Sequence, residues 1–426
     1  MLDIKLIREK PDLVRENIKK RNDPEKVKLL DDLIRSDKEW RDMLTEVNKL
    51  RERRNKLSLL ISQTKQSGKD VSVFMKEAKT IPEQIKERET RITQLENKNK
   101  LLLLAIPNLL HDSVPMGKDD TENVEVKKRG KKPKFHFQPK DHVTILKNLG
   151  LLDIEAAVKV AGSGFYFLKD EALLLDLALQ RFALDFLMKK KFSIYEPPYM
   201  VNKEVYEGMI GDPTDFAEAS YKIEGEELYL IPTSEYSLGA FFMDTTFNKK
   251  ELPMKLCGLS PCFRREVGTH GKYTKGLFRV HQFNKVEQFI FCLPQDSWEL
   301  HEEIQKNTEK MYETLGLYFR VVNVCTGDIG TKAAKKYDTE IWMADGKFRE
   351  VGSNSNVTDY QARRLNIKFR EGEGKPAIGF VHMLNNTAIA TSRAMIAIVE
   401  QFQKRNGTVV IPKVLRPYMN KTKKLE

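Results

Sequence analysis

Most of the residues able to do chemistry fall between positions 231 and 287, with a second group between 350 and 393. Reading Leu277–Cys292 as a strand, alternation puts Arg279, His281, Phe283, Lys285 and Glu287 on one face. Phe283 and Glu287 are then roughly 13 Å apart at about 3.3 Å per residue. A ring that can stack on a base, with a carboxylate that can take an ammonium or hydroxyl, fits the two ends of an aminoacyl-adenylate. A cross-strand charge pattern is the plainer reading of the same alternation. Glu287 is expected near a strand end, where truncation leaves the fold intact. Arg264-Arg265-Glu266 closes a preceding strand-like run, Leu256–Glu266, and adds a cation where a triphosphate would lie. Asn385–Gln403 reads as a helix of small and apolar residues, with Arg393 among Ala390, Ala394, Met395 and Ile396. A buried guanidinium without an anion is costly. Arg393 therefore asks for a carboxylate or a phosphate, and a structural ion pair meets that demand as well as a nucleotide does.

Several elements must position these groups. At about 150 residues per domain, 426 residues predict two or three domains. Apolar residues make up 40% and charged residues 31%, the balance of a soluble globular chain. The strongest apolar stretch, Leu101–Ile106, is far short of the roughly 20 residues a membrane span requires. MLDIKLIREKPD mixes acids and bases without an apolar core, so no secretory leader is expected. Cys257, Cys262, Cys292 and Cys325 are too few and too scattered for a disulfide framework and show no zinc-ligand spacing. Reduced thiols and a cytoplasmic location are expected. The net charge of +12 permits a polyanionic partner without requiring one.

Residues 1–112 read as an N-terminal domain carrying a helical arm over about 27–104. Leu33, Trp40, Leu44, Val47, Leu50, Leu57 and Ile61 follow a spacing of three and four, and Ala78, Ile81, Ile85, Ile92, Leu95 and Leu102 resume it. Two helices with one apolar seam each predict a long antiparallel hairpin turning near Gly68, with Pro82 as a delayed start or kink. From Lys49 to Lys69 there are seven basic residues and one acid. Arg51, Arg53, Arg54, Lys56 and Lys65 are either a solvated face or a phosphate-contact surface. Residues 113–135 read as a linker with the basic run Lys127–Lys134. From 136 to 426, helices such as Leu173–Lys190 mix with strand-like runs such as Phe192–Val201. The glycines at 268, 271 and 276 suit a mobile strand-to-strand connection. The fold class is α+β, and the Rossmann and P-loop glycine patterns are absent.

CFRREVG followed by TKGLFRVHQFNKVEQF resembles motif 2 of class II aminoacyl-tRNA synthetases of the seryl type. LNNTAIATSRAMIAIVEQFQ resembles that family's motif 3, with Arg393 as its characteristic arginine. Ile231-Pro-Thr-Ser-Glu235 is similar to its T-x-E serine motif, and Glu350–Ser353 with Asn354–Arg364 to its metal and nucleotide segment. The likeness runs from LDIKLIREKPDLVREN through IPNLLHDSVPMG to IPKVLRPYM, essentially the whole chain. Lys191 stands where motif 1 often has glycine, and Asn354 and Val357 where many members have cysteine. Asn386-Thr387-Ala388 replaces the bacterial Gly-Ser-Gly, a variation resembling archaeal and eukaryotic members.

This resemblance implies an antiparallel catalytic sheet behind a coiled-coil arm, and an ATP-dependent, AMP-forming ligase that joins L-serine to serine tRNA (and to selenocysteine tRNA where present). It implies an ATP site of Arg264, Arg265, Glu266, Val280, Phe283, Glu350, Val351, Gly352, Ser353 and Arg393. Of these, Arg264, Glu350 and Arg393 are implied to be catalytic. A serine site of Thr233, Ser234, Glu235, Arg264, Glu287, Asn385 and Thr387 is implied, with Mg²⁺ on Glu350 and Ser353. The motif 1 region, Leu173–Val201, implies a homodimer, and the arm implies a grip on tRNA. The competing expectation is a synthetase-like enzyme that loads an activated amino acid onto a carrier protein.

Overall fold

Asp23 and Pro24 begin a 43-residue helix, Pro24–Gln66 (α3), after two short helices, Ile4–Glu9 (α1) and Pro11–Lys19 (α2). The Asp23 carboxylate accepts from the backbone N–H groups of Glu25 at 3.0 Å and Lys26 at 3.4 Å. Pro24 occupies the first turn, where its missing N–H has no helical partner to lose. At 1.5 Å per residue α3 is about 65 Å long. Gly68, at φ +71°, turns the chain back into Ser72–Ala105 (α4). Val47 and Leu57 of α3 bury against Ile81 and Ile85 of α4, with Leu50, Phe74 and Ile92 beside them. Pro82 neither delays nor ends α4, which starts at Ser72 and continues through it. The single helical hydrogen bond that a proline forgoes is offset by the buried seam on either side of it.

The computed structural model describes residues 1–211, 220–266 and 276–426, and it divides into the units Met1–Pro107 and Asn108–Glu426. Gly268 and Gly271, the first two glycines of the anticipated mobile connection, lie outside the described residues.

The second unit is built on eight strands: Val124–Arg129 (β1), Ser193–Tyr195 (β2), Met254–Phe263 (β3), Gln282–Cys292 (β4), Phe319–Asn323 (β5), Lys335–Trp342 (β6), Phe348–Asn356 (β7) and His382–Ala390 (β8). Their order across the sheet is β1-β5-β6-β7-β8-β4-β3-β2. All neighbours are antiparallel except β2 and β3. Asp170–Lys189 (α5), Ser297–Leu315 (α6) and Thr391–Gln401 (α7) pack against the sheet. Val286, Ile290 and Cys292 of β4 enter the core with these helices. Gln288 donates to the Ile304 carbonyl of α6 at 3.2 Å. The odd-numbered residues of β4, from Phe283 to Phe291, face the other way. Lys285 and Glu287 of that face line the site, while Phe289 and Phe291 pack into a second core with Met209, Phe247 and Met383.

Several boundaries differ from the sequence reading. The strand read over Leu277–Cys292 starts only at Gln282, so Arg279 and His281 precede it and do not share its alternating face. Asn385–Gln403 is not one helix: residues to Ala390 form β8, and α7 starts at Thr391. Pairing with β7 on one side and β4 on the other holds those residues extended. Residues 113–135 are not merely a linker, because β1 pairs with β5 along the sheet edge, where lysines on the exposed strand are tolerated. The run Phe192–Val201 breaks around Pro197-Pro198 into β2 and a short strand, Met200–Asn202. Lys191, standing where relatives of the resembled family often have glycine, adopts a left-handed φ of +64° before β2. That is the conformation glycine adopts without strain.

Candidate active site

Glu287 lies mid-strand in β4, paired with Gly258 of β3 and Thr387 of β8, and is 1% exposed. The expectation of a tolerant strand end is therefore corrected. A carboxylate this deep requires a cation, and Lys285 of the same strand supplies it, its Nζ 2.6 Å from Glu287 Oε2. Thr387 Oγ1 donates to the same oxygen at 3.3 Å, and Lys285 Nζ donates to Thr233 Oγ1 at 2.7 Å. Burial raises the Glu287 carboxyl above the ordinary range, with Lys285 opposing the shift.

Glu235 has its own lysine. Lys332 Nζ donates to its Oε1 at 2.5 Å and Gln361 Nε2 at 3.1 Å. Burial alone would raise this carboxyl, but Lys332, Gln361 and Lys285 outweigh it and hold it below the ordinary range. Two buried carboxylates thus share one cavity, each paired with a different lysine.

That cavity has a volume of about 360 Å³, and Thr233, Glu235, Arg264, Glu287, Glu350, Ser353, Asn385 and Thr387 all line it. Asn385 is 5% exposed and its Nδ2 has no partner among the described residues, so a donor is left for a ligand. Arg264 anchors through Nε to the Pro232 carbonyl at 3.3 Å, and its guanidinium stands 5.1 Å over the Phe283 ring. Glu266, beyond Arg264, pairs with Arg279 at 2.8 Å. Arg265 follows Arg264 in the same described stretch.

Glu350 and Ser353 enter from β7, with Ser353 Oγ donating to Glu350 Oε1 at 3.4 Å. The Glu350 side chain is walled by protein yet open to the cavity. Burial pushes its carboxyl upward, but Arg393, Lys336, Arg264 and Arg279 together bring it below the ordinary range. Arg393 Nη1 donates to the Glu350 carbonyl at 3.0 Å, Nε donates to the Phe278 carbonyl at 3.4 Å, and the guanidinium covers the Phe278 ring at 4.7 Å. Asp338 of β6 lies directly opposite Ser353. Its Oδ1 is buried without a hydrogen-bond partner among the described residues, and burial moves its carboxyl up to about 7, opposed by Lys336 and reinforced by Glu350. These hard oxygens suit Mg²⁺, an ion held by a few carboxylates plus phosphate and water. Among the described residues no cluster of three His, Cys, Asp or Glu forms a complete protein cage.

Not every anticipated residue reaches the cavity. Ser234 is fully buried beneath it, packed toward Gly258, and its Oγ has no partner among the described residues. Its expected contact with serine is corrected: Ser234 caps the short helix Glu235–Ala240, and the turn there points its side chain at Gly258 of β3. Val280 and Val351 are also buried, so only their backbones are available to a nucleotide. Gly352 lies so close to Thr387 that an added Cβ would stand 2.8 Å from the threonine Cβ. Sequence reasoning left Lys285 without a role and missed Lys332, Lys336 and Asp338. Gln361 lay within a quoted motif, unassigned. Buried lysines reveal themselves only when the topology brings a carboxylate to them.

On the arm, Arg51 pairs with Glu89 at 2.7 Å, Arg53 with Glu77 at 2.7 Å and Lys56 with Glu52 at 2.6 Å. Arg54 and Lys65 form no ion pair among the described residues. All four cysteines are free and buried. No helix among the described residues is long and apolar enough to cross a membrane.

Comparison with known proteins agrees with this arrangement. Residues 1–110 match the seryl-tRNA synthetase N-terminal domain, and residues 220–402 match the tRNA synthetase class II core domain (G, H, P, S and T). The serine–tRNA ligase of Methanocella arvoryzae is 54% identical over 421 residues, 99% of each chain. That of Pyrococcus horikoshii is 48% identical over 98% of this chain and 96% of its own. The crystal structure of seryl-tRNA synthetase from Pyrococcus horikoshii complexed with ATP superposes with a TM-score of 0.96, covering 100% of this chain and 99% of that one at 47% identity. The cytoplasmic serine–tRNA ligase of Naegleria fowleri in complex with AMP gives 0.90 at 35% identity, again over 100% and 99%. With both the arm and the core matched over the full length, the chain belongs to the seryl-tRNA synthetase family.

Proposed function

We propose that this chain activates L-serine with ATP and passes the seryl group to serine tRNA through the cavity lined by Glu235, Arg264, Glu287 and Glu350. The observation that carries this reading is the convergence of the T-x-E, motif 2 and motif 3 residues, from three distant stretches of sequence, on that one cavity. In the first step a serine carboxylate oxygen attacks the α-phosphorus of ATP. The α–β bridging P–O bond breaks and its electron pair leaves with pyrophosphate. The nucleophile is already ionised, so no side chain needs to take a proton, and rate enhancement comes from positioning and charge neutralisation. Arg264 holds the α-phosphate and substrate carboxylate, with Arg265 beside it. Arg393 holds the γ-phosphate. Phe283 stacks on adenine, Glu266 accepts from its amino group, and the backbones at Val280, Val351 and Gly352 frame the nucleotide.

Glu350 and Ser353 hold Mg²⁺, which when bound neutralises phosphate charge. Thr233, Glu235, Glu287, Asn385 and Thr387 read the serine. In the second step a hydroxyl of the terminal tRNA ribose attacks the seryl carbonyl carbon, the carbonyl carbon–phosphate oxygen bond breaks, AMP departs with its electrons, and the hydroxyl proton is released. Alanine leaves the carboxylate that reads the serine hydroxyl without a partner, a defect that can be worth about 10⁴-fold in discrimination.

The enzyme works as a cytoplasmic homodimer. Leu173, Leu177 and Met188 give α5 an exposed apolar face, which suits a second subunit. The arm grips tRNA through its unpaired cations. Charging a purified tRNA pool with each of the twenty amino acids tests the whole reading. Only serine is expected to be attached; attachment of another amino acid, or loading of a carrier protein instead of tRNA, would overturn it.

A further inference from the structure

Thr233 Oγ1 receives two hydrogen bonds, from Lys285 Nζ at 2.7 Å and from the backbone N–H of Glu235 at 3.1 Å. A threonine hydroxyl has two acceptor lone pairs and one proton. Both acceptor positions are therefore taken, and the proton is what remains to offer. Glu287 is the complement. Its Oε2 accepts from Lys285 Nζ at 2.6 Å and Thr387 Oγ1 at 3.3 Å, while its Oε1 has no partner among the described residues. One ammonium, 5% exposed, thus faces the two groups with opposite consequences, and all three residues line the cavity.

We propose that Lys285 is a positioning residue that sets the hydrogen-bond polarity of the amino-acid site, leaving Thr233 a donor and Glu287 an acceptor toward bound serine. This rests on serine activation as the reaction. An ammonium donates only and accepts nothing, so neither neighbour can reverse its role while the lysine is present. A donating Thr233 suits a carboxylate or carbonyl oxygen of the aminoacyl group. An accepting Glu287 suits a hydroxyl or ammonium. Without the lysine, a carboxyl this deep has little reason to stay ionised. Once protonated, it offers a donor where the serine hydroxyl or ammonium needs an acceptor.

Lys285 shares the strand of Glu287, Glu235 lies across the cavity, and β3 contributes the thiols of Cys257 and Cys262. Arg264, Lys332, Lys336 and Glu350 line the same cavity. Among the described residues only Lys285 forms an ion pair with Glu287, and Lys332 pairs with Glu235 instead. Removing Lys285 takes away the cation closest to the carboxylate, so the effect has one sign. The Glu287 carboxyl, already raised by burial, must rise further, and the acid limb of serine activation must move to higher pH.

Serine-dependent ATP–pyrophosphate exchange by the full chain, measured across pH for wild type, Lys285→Met and Lys285→Arg, tests this. Wild type without serine-dependent exchange would refute the assigned reaction and the proposal with it, whereas an unchanged variant of a serine-active wild type would refute the lysine's role alone, so the two failures are distinct. Given wild-type exchange, Lys285→Met is expected to raise KM for serine about tenfold or more, the scale of one charge-assisted hydrogen bond lost. KM for ATP should stay close to wild type, the preference for serine over alanine should fall, and the acid limb should shift upward. Lys285→Arg should bring the limb back. If Lys285→Met does not fold, as judged by circular dichroism and thermal unfolding, Lys285→Gln keeps a donor without the charge and must still shift the limb. A folded neutral variant with the wild-type acid limb and serine KM overturns the proposal, as does an equal rise in the KM of serine and ATP.

Discussion

Arg393 Nη1 lies 3.0 Å from the main-chain carbonyl oxygen of Glu350 and 3.4 Å from its carboxylate, so the motif 3 arginine and the β7 acid form one charged unit. Each group thus has a partner within the protein. Burial lowers the Arg393 guanidinium from its usual value, and Glu350 is the main influence opposing that shift. On the proposed reading, a phosphate reaching this point would meet a cation already aimed, with its aromatic platform Phe278 in place.

Arg393→Ala is expected to lower serine-dependent exchange about 10²-fold or more, as for other cations aimed at a transferring phosphoryl group. Thermal stability should change little, because the partner left behind, Glu350, remains open to the cavity. A variant that loses its fold while keeping full activity per folded molecule would favour a purely structural pair.

Glu287→Ala and Glu287→Gln should differ in kind. Alanine leaves the Lys285 ammonium buried without its anion, a defect of about 3–5 kcal/mol, visible in urea unfolding. Glutamine keeps a carbonyl acceptor and should cost less stability, yet serine activation should still fall sharply. Equal stability of the two variants would mean that the Lys285–Glu287 pair is not as dry as described.

The arm separates structural from available cations. Arg54→Ala with Lys65→Ala should weaken tRNA binding and reduce the steepness of its salt dependence by about one unit per lost phosphate contact. Pyrophosphate exchange should be unaffected. Arg53→Ala should act less on tRNA than on the hairpin, because Glu77 already occupies that guanidinium. An unchanged salt slope in the double variant would remove these residues from the interface.

Burial pushes the Cys257, Cys262 and Cys292 thiols above their ordinary value, and Cys325 is buried with them. The thiolate is the reactive form. Native protein should therefore react slowly with a thiol-specific chromogen, and all four cysteines should react on unfolding. Rapid modification of the native chain would contradict the packing.

What could be read in the sequence follows period and punctuation. The hairpin was legible because its seams repeat every three to four residues and Gly68 marks the turn. The β4 face was legible because alternation alone groups Phe283, Lys285 and Glu287. The start of motif 3 was not. Leu384–Ala390 is small and apolar enough for either a strand or a helix, and only pairing to β7 and β4 decides it. Lys332 and Asp338 were hidden for a related reason. Each meets its partner across a wide gap in sequence or across a strand pair, so its role exists only in the folded sheet.

The most direct measurement is ATP–pyrophosphate exchange by wild-type chain and Glu287→Gln, each supplied in turn with serine, alanine, glycine and threonine. The account predicts strong exchange with serine alone in wild type, and loss of that preference in the variant. Comparable exchange with alanine in wild type, or undiminished serine preference in Glu287→Gln, would contradict the assignment of this cavity.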